Sequence, residues 1–524
     1  MVLQTECGLV IYINNKPCNY DGVLTSLKKL QHRGRESFGL GYIAQTSIAN
    51  YSNIQTLNVE KHSGTVESDK ISEDFKSQES LVWFGHTRYS TSGYKFDTLG
   101  FTQPLQYSLF NLDDLCIVYN GNIPECEWSR AFELYPTLKQ YYNSNKEIIN
   151  DSFLILEFFK ILKTEQYETH RKQKNQENSK DVFNKILQNI LIRFIELVDR
   201  AFSMAIITEQ KTWILRDKYG VRPLTLGKYY NESEGLTSLV VGSESCCFSE
   251  NTVINYDFKA GSLSTICHKT QSVKHLYDYD LSIGSNIIGN GESSNNVKHC
   301  LFEYLYFMRP ETTANKINVK EFRIELGKLL IKEMKEYHQD LYKYFENEKL
   351  HNKEDIIVCG IPKSGIIQAE SFARHFDVQY LQFIKQRKDY PHRTFILENQ
   401  EQRVLGCKNK YFIQEADKQI IKNKILIMID DSIVRGNTIK YLIEYVKSYQ
   451  PKAIHFMVSA PPIVNICKYG VDFPNIEELI INKKTIPEFQ EYLDIDSLVY
   501  LKNNILQKKE DLNKNTFCMD CFTI

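Results

Sequence analysis

The sequence predicts a chain of mixed α/β and α+β architecture whose second half is a doubly wound parallel sheet. Two observations predict that sheet. Ile425-Leu426-Ile427-Met428-Ile429 is a continuous apolar run, as expected of a strand covered on both faces. It ends on Asp430-Asp431, passes through the polar loop Ser432–Thr438 and continues as the helical period Ile439–Val446. Asp355–Gly365 repeats the order of strand, glycine loop and helix. In such sheets ligands sit at the carboxyl ends of strands, where a helix's first N–H groups meet an anion. Two carboxylates beside an anion cradle fit a ligand carrying hydroxyls and phosphates together, a phosphorylated sugar.

At 524 residues, two or three domains are expected. With 42% hydrophobic and 25% charged residues and a formal net charge of −1, the chain offers no broad basic face for nucleic acid or anionic membrane. No apolar run approaches the ~18 residues of a membrane-spanning helix. Met1–Glu6 lacks the basic and hydrophobic regions of a signal peptide. The 13 cysteines are therefore expected in a reducing cytoplasm, as ligands or catalysts rather than disulfides.

The N-terminal half shows strands that open into polar loops. Cys7–Ile13 reads as a first strand headed by a cysteine, and Leu30–Gly39 as a helix end running into a glycine turn. Phe84–Gly93 reads as a strand with a polar exit, and Val118–Ile123 as a strand ending in a tight Asn-Gly turn. Asn150 is positioned to cap the helix beginning Asp151-Ser152-Phe153. A thiol needs a base to become nucleophilic. Removal of residues 1–6 would give Cys7 its own α-amine, with a pKa of about 8. Arg88 can grip a carboxylate, Asp151 an ammonium, and Asn120 with the Gly121 N–H an oxyanion. Together they describe a glutamine site. Thr164–Asn184, polar and without apolar period, reads as a solvated surface insertion.

Glu6-Cys7-Gly8, Leu-Gln-His-Arg-Gly, Gly-His-Thr-Arg-Tyr-Ser-Thr and Tyr-Asn-Gly-Asn resemble the N-terminal-nucleophile glutaminase domain of class II amidotransferases. That resemblance implies a four-layer αββα sandwich over residues 7–265, a propeptide 1–6, Cys7 as nucleophile and Arg33 as orienter of its loop. Arg216–Leu224 and Gly242-Ser243-Glu244-Ser245 continue it. Residues 266–299 read as a linker, with the Gly-, Ser- and Asn-rich stretch Ser282–Asn296 as its loop. Cys300–Pro310 is too apolar for a linker and is expected at the domain junction.

Arg-Thr-Phe-Ile, Asp-Asp-Ser-Ile-Val-Arg-Gly and Ala-Pro-Pro-Ile beside Tyr-Gly-Val-Asp resemble a type I phosphoribosyltransferase domain, here residues 300–490. Behind a glutaminase half, they make the whole chain similar to the amidophosphoribosyltransferase family. The resemblance implies transfer of glutamine-derived ammonia to phosphoribosyl pyrophosphate, the first committed step of purine synthesis. It places ribose hydroxyls and Mg²⁺ on Asp430 and Asp431, with Ser364 contributing to the metal site. It lays the 5′-phosphate on Ser432, Val434, Arg435, Gly436, Asn437 and Thr438, and sets Arg387, Arg393, Arg403 and Lys410 around pyrophosphate from a lid. Purine-nucleotide feedback and a homotetramer are further family implications.

Cys300, Cys467, Cys518 and Cys521 sit where the iron–sulfur branch has its ligands, implying a [4Fe–4S] cluster that staples the tail 491–524. The chain departs from the pattern at Lys363 (usually acidic), at Asn437 (usually threonine) and in a lid two residues longer. These departures leave one alternative, a nucleotide-sensing regulatory homologue with impaired transfer.

Overall fold

The structure is a computed structural model that describes residues 7–46, 54–89, 99–109, 115–123, 125–146, 150–172, 179–198, 201–279, 297–387, 410–469, 475–507 and 517–523. The expected propeptide, the Ser282–Asn296 loop, and Arg393 and Arg403 lie outside the described residues.

The N-terminal half stacks two antiparallel sheets. One runs Thr252–Asp257, Thr225–Asn231, Leu236–Gly242, Gly8–Cys18, Ser80–Arg88, Ser37–Thr46, Ile54–Ser63; the other runs Val273–Asp278, Ser262–Cys267, Lys211–Arg216, Phe202–Thr208, Leu115–Gly121, Leu105–Tyr107. Alternation along the strands sorts the side chains. Leu9, Ile11, Ile13, Val82 and Phe84 meet Cys116, Val118, Ala205, Ile207 and Ile214 between the sheets. Val10, Tyr12 and Trp83 face the other way, against Val23, Leu24 and Leu27 of the helix Asp21–Lys29. Tyr119, Met204, Ile206 and Trp213 turn toward Leu154, Phe158 and Phe194 of the helices Asp151–Lys172 and Ser179–Leu197. The outcome is helix, sheet, sheet, helix.

Three readings are corrected here. Thr164–Asn184 is not a plain surface insertion: the flanking helices run to Lys172 and restart at Ser179. Asn120-Gly121 is not a hairpin turn but the end of a strand, paired with Ser203 and Phe202. The sandwich also continues past residue 265, because Val273–Asp278 adds an edge strand to Ser262–Cys267.

The second half is a five-stranded, all-parallel sheet in the order Gln379–Tyr380, Ile356–Gly360, Ile425–Asp430, Ala453–Val458, Ser497–Tyr500. Both faces are covered. Ile425, Ile427 and Ile429 face the helices Val319–Tyr337 and Ile366–Phe376. Leu426 and Met428 face the helices Asn437–Lys447 and Ile486–Leu493. This sheet also outruns its expected boundary at 490, since Ser497–Tyr500 is its last strand. The tail then returns to the junction, where Phe517–Cys518 pairs in parallel with His299–Cys300.

Candidate active sites

Cys7 stands at the head of the strand Gly8–Cys18, beside the exit of its neighbour Ser80–Arg88. The loop before Ser37 crosses this exit so closely that a Cβ on Gly34 would lie 2.6 Å from the Arg88 carbonyl. Only glycine fits there. The Cys7 thiol points to the Tyr89 carbonyl at 3.7 Å. Burial pushes it up to about 11, against the opposing pull of Arg88. At that value the thiol is protonated at neutral pH.

Arg33, buried to 1% exposure, donates from Nε to the Cys7 carbonyl at 3.1 Å and from Nη2 to Glu303 at 2.9 Å. Nη1 donates to both Glu244 and Glu303. Burial alone would raise the Glu244 carboxyl; His32 and Arg33 outweigh it and hold it well below the usual range. Arg88 is buried at its strand end, with its guanidinium 5.7 Å from the Phe101 ring centre.

The second sheet supplies the far wall. His86 Nε2 lies 3.1 Å from the Tyr119 carbonyl, tying the strand that ends at Arg88 to the one that ends at Gly121. Burial lowers His86 to about 3, so the ring is neutral and donates this bond. Both polar atoms of the buried Asn120 side chain lack a partner among the described residues. Such an amide costs about 1–3 kcal/mol unless something fills its bonds. Asp151 accepts from the Tyr119 hydroxyl and from the Ile123 N–H at 3.0 Å, and burial raises its carboxyl. Its helix is capped by Asn150, whose Oδ1 accepts from the Phe153 N–H at 3.1 Å, as the sequence predicts.

In the second half, the Asp431 N–H donates to the Asp430 carboxylate at 2.9 Å. Ser364 and Ser432 both donate to Asp431, the latter at 2.6 Å. Burial, then the Asp431 charge, lifts Asp430 well above a normal carboxyl; burial lifts Asp431 against the two serines. Two buried, mutually repelling carboxylates with one-sided hydroxyl support are a donor set of the kind that suits a hard cation. Ser364 lies one residue beyond the cis Pro362–Lys363 peptide, at the mouth of the helix Ile366–Phe376.

Gly436 turns the next loop at φ +76°, and a Cβ there would meet the Phe489 ring at 2.8 Å. Asn437 and Thr438 open the helix Asn437–Lys447, so their N–H groups point into the loop. Arg435 pairs with Glu478, and the Val434 carbonyl accepts from the Ile480 N–H at 2.9 Å. The strands Ile384–Gln386 and Tyr411–Ile413 pair antiparallel, and beside them the Arg387 N–H donates to the Lys410 carbonyl at 2.9 Å. The Lys410 charge reaches Asp430 and opposes its neutralisation.

Cys300, Cys467, Cys518 and Cys521 line one cavity together with Arg222 and Tyr469. Burial pushes Cys518 up to about 12 and Cys300 and Cys521 higher, each made worse by its neighbouring cysteines. The Tyr469 N–H donates to Cys467 Sγ at 3.2 Å, a bond that favours a thiolate.

Several residues that shape these sites carried no role in the sequence reading: His86, Tyr119, Arg222, Glu244, Glu303 and Arg323. The buried Tyr500 hydroxyl, within the field of Asp430 and without a partner among the described residues, is another.

The phosphoribosyl transferase domain family matches residues 328–471. Amidophosphoribosyltransferase 1, chloroplastic, of Arabidopsis thaliana is 26% identical over 99% of this chain and 78% of its own. The amidophosphoribosyltransferase of Methanocaldococcus jannaschii is 27% identical over 94% of this chain and 91% of its own. Similarity thus runs the length of both halves. Along nearly its whole length the chain is similar to these amidophosphoribosyltransferases. Its fold agrees: the B. subtilis glutamine phosphoribosylpyrophosphate amidotransferase, complexed with ADP and GMP, superimposes with a TM-score of 0.70 at 22% identity, covering 99% of this chain and 96% of that one.

Proposed function

We propose that the chain moves the amide nitrogen of glutamine onto phosphoribosyl pyrophosphate, giving 5-phosphoribosylamine, glutamate and pyrophosphate, the first committed step of purine synthesis. One observation carries this reading. A single chain holds both a cysteine site with an unpartnered buried amide and an acid pair beside a phosphate-type loop.

Removal of residues 1–6 frees the Cys7 amine, which takes the thiol proton. The thiolate attacks the glutamine carboxamide carbon, and the Asn120 amide with the Gly121 N–H receives the oxyanion. Ammonia departs with the proton held by the terminal amine, and water releases glutamate from the thioester. Arg88 holds the substrate carboxylate and Asp151 its ammonium, while Arg33 fixes the nucleophile's backbone. At the second site ammonia bonds to C1 of the sugar and the C1–O bond to pyrophosphate breaks. Asp430 and Asp431 orient the ribose hydroxyls, Ser432–Thr438 carry the 5′-phosphate, and Arg387, Arg393, Arg403 and Lys410 face pyrophosphate. Asp430, Asp431 and Ser364 would hold Mg²⁺, which would supply charge neutralisation for the leaving diphosphate.

The four cysteines of the shared cavity suit a [4Fe–4S] cluster. A cation is what stabilises four thiolates in one buried place, and the pairing of Phe517–Cys518 with His299–Cys300 already brings two of them together. The nucleotides in the B. subtilis structure support purine nucleotides as feedback ligands. A homotetramer and a cytoplasmic location complete the reading; no helix among the described residues is long and apolar enough to cross a membrane. Mixing processed protein with glutamine, phosphoribosyl pyrophosphate and Mg²⁺ tests the proposal. Pyrophosphate and glutamate should appear in equal amounts; glutamate alone would leave only the glutaminase half standing.

A further inference from the structure

Arg33 is the only contact the described structure gives the Cys7 carbonyl from a charged side chain, and its orientation depends on where its other nitrogens are tied. Among the described contacts, Glu244 meets Arg33 at Nη1. Its Oε1 already meets His32 at 2.7 Å, and its Oε2 accepts from the Thr312 hydroxyl at 2.7 Å and the Arg309 N–H at 2.9 Å. Nη2 is held by Glu303 Oε1 at 2.9 Å, and Oε2 of the same carboxylate reaches Nη1 at 3.2 Å. Glu303 belongs to the junction segment, 270 residues downstream of Arg33.

The charge balance makes the same point. Arg33 and Arg222 are both buried, and Arg222 Nη1 lies 3.8 Å from Glu303 Oε1. Among the described residues, these two cations and His32 meet the carboxylates Glu244 and Glu303, in a place where removing one of those charges is strongly destabilising. Arg222 is fixed in turn by donating from Nη2 to the Tyr469 carbonyl at 2.8 Å. The turn bearing Glu303 is held from the opposite side as well. Arg323 donates to the carbonyls of Tyr304 and Met308, each at 2.9 Å.

We propose that Glu303, a residue outside the glutaminase sandwich, is a positioning residue for the glutaminase reaction: it locks Arg33 onto the Cys7 carbonyl and so sets where the nucleophile stands. This rests on the functional reading above. Glu303 touches neither Arg88 nor Asp151 in that reading, so its loss should act on turnover and not on glutamine binding.

Glu303→Gln keeps the shape and removes the charge. Glutamine-dependent turnover should fall by about tenfold or more, with KM for glutamine changed by less than about threefold. Ammonia-dependent pyrophosphate release should stay within about twofold of the parent. Glu303→Asp, which restores the carboxylate, should recover part of the loss; it also stands in if the glutamine variant fails to fold. The rate of Cys7 alkylation by iodoacetamide, read by peptide mass, should fall alongside turnover. Equal loss with both nitrogen donors would make Glu303 merely structural, and parental turnover and alkylation in both variants would remove its role. Absence of pyrophosphate from the unmutated protein would strike the transferase reading instead, leaving the alkylation and glutamate-release arms to judge Glu303.

Discussion

Asp431 donates its backbone N–H to the side chain of Asp430 at 2.9 Å, which sets two buried carboxyls side by side at the end of the central parallel strand. Both carboxyls are raised from the ordinary 3.8, so the folded chain holds more protons here than the unfolded one as pH climbs above that value. Metal-free stability should therefore fall with rising pH through this window, and Mg²⁺ should restore it at the upper end. Asp431→Asn relieves the repulsion. Without metal it should melt roughly 2–4 °C above the parent at neutral pH, the difference shrinking toward pH 4, while pyrophosphate release is lost. Melting curves in EDTA and in Mg²⁺ check both signs; a variant that melts lower at every pH would contradict them.

Asn120 presents a second test of an unsatisfied group. Its amide is buried and without a partner among the described residues. Asn120→Ala should lower glutamine-dependent turnover by about 10²–10³-fold, as expected for loss of one oxyanion donor. Because the free enzyme gains nothing from this side chain, the melting temperature should move by less than about 2 °C. Comparing turnover with calorimetry separates the two effects.

Gly436 combines a left-handed backbone with a place where an added Cβ would lie 2.8 Å from the Phe489 ring. Gly436→Ala should destabilise the fold by about 1–3 kcal/mol and raise KM for phosphoribosyl pyrophosphate, with the glutaminase reaction intact. Denaturant titration and separate assays of the two half-reactions read this out.

The cavity shared by Cys300, Cys467, Cys518 and Cys521 leads to an analytical prediction. Anaerobically purified protein should be brown and carry about four irons and four sulfides per chain. Cys521→Ser should lose most of that iron and the stability of the C-terminal tail. Iron-free, colourless protein that is fully active would dismiss the cluster.

Much of this was legible in the chain because it is local. The apolar strand ending in Asp430-Asp431, the loop to Thr438 and the cap at Asn150 are all written in consecutive residues, and each lies where sequence places it. Cys7, Arg88, Asn120 and Asp151 are weak signals one residue at a time and suggest a glutamine site only as a set. Partnerships across the fold were not legible. The Arg33–Glu303 pair joins positions 270 apart, and no local pattern announces that a glutamate in an aromatic run will be buried against a guanidinium. Tyr119, which donates to Asp151, looks in sequence like any strand tyrosine. The strand Val273–Asp278 was missed because an edge strand with exposed side chains lacks the apolar signature of its neighbours.

Replacing the nucleophile is the most direct test of the two-site account. Unprocessed, the Cys7 thiol sits at about 11 and should resist alkylation at neutral pH; processed protein should begin at Cys7 by intact mass and react readily. Cys7→Ala should then abolish pyrophosphate release with glutamine, by about 10³-fold or more, yet keep it within about twofold with ammonia. If the substitution removes both activities together, or spares the glutamine-dependent one, the two halves are not the coupled sites described for them.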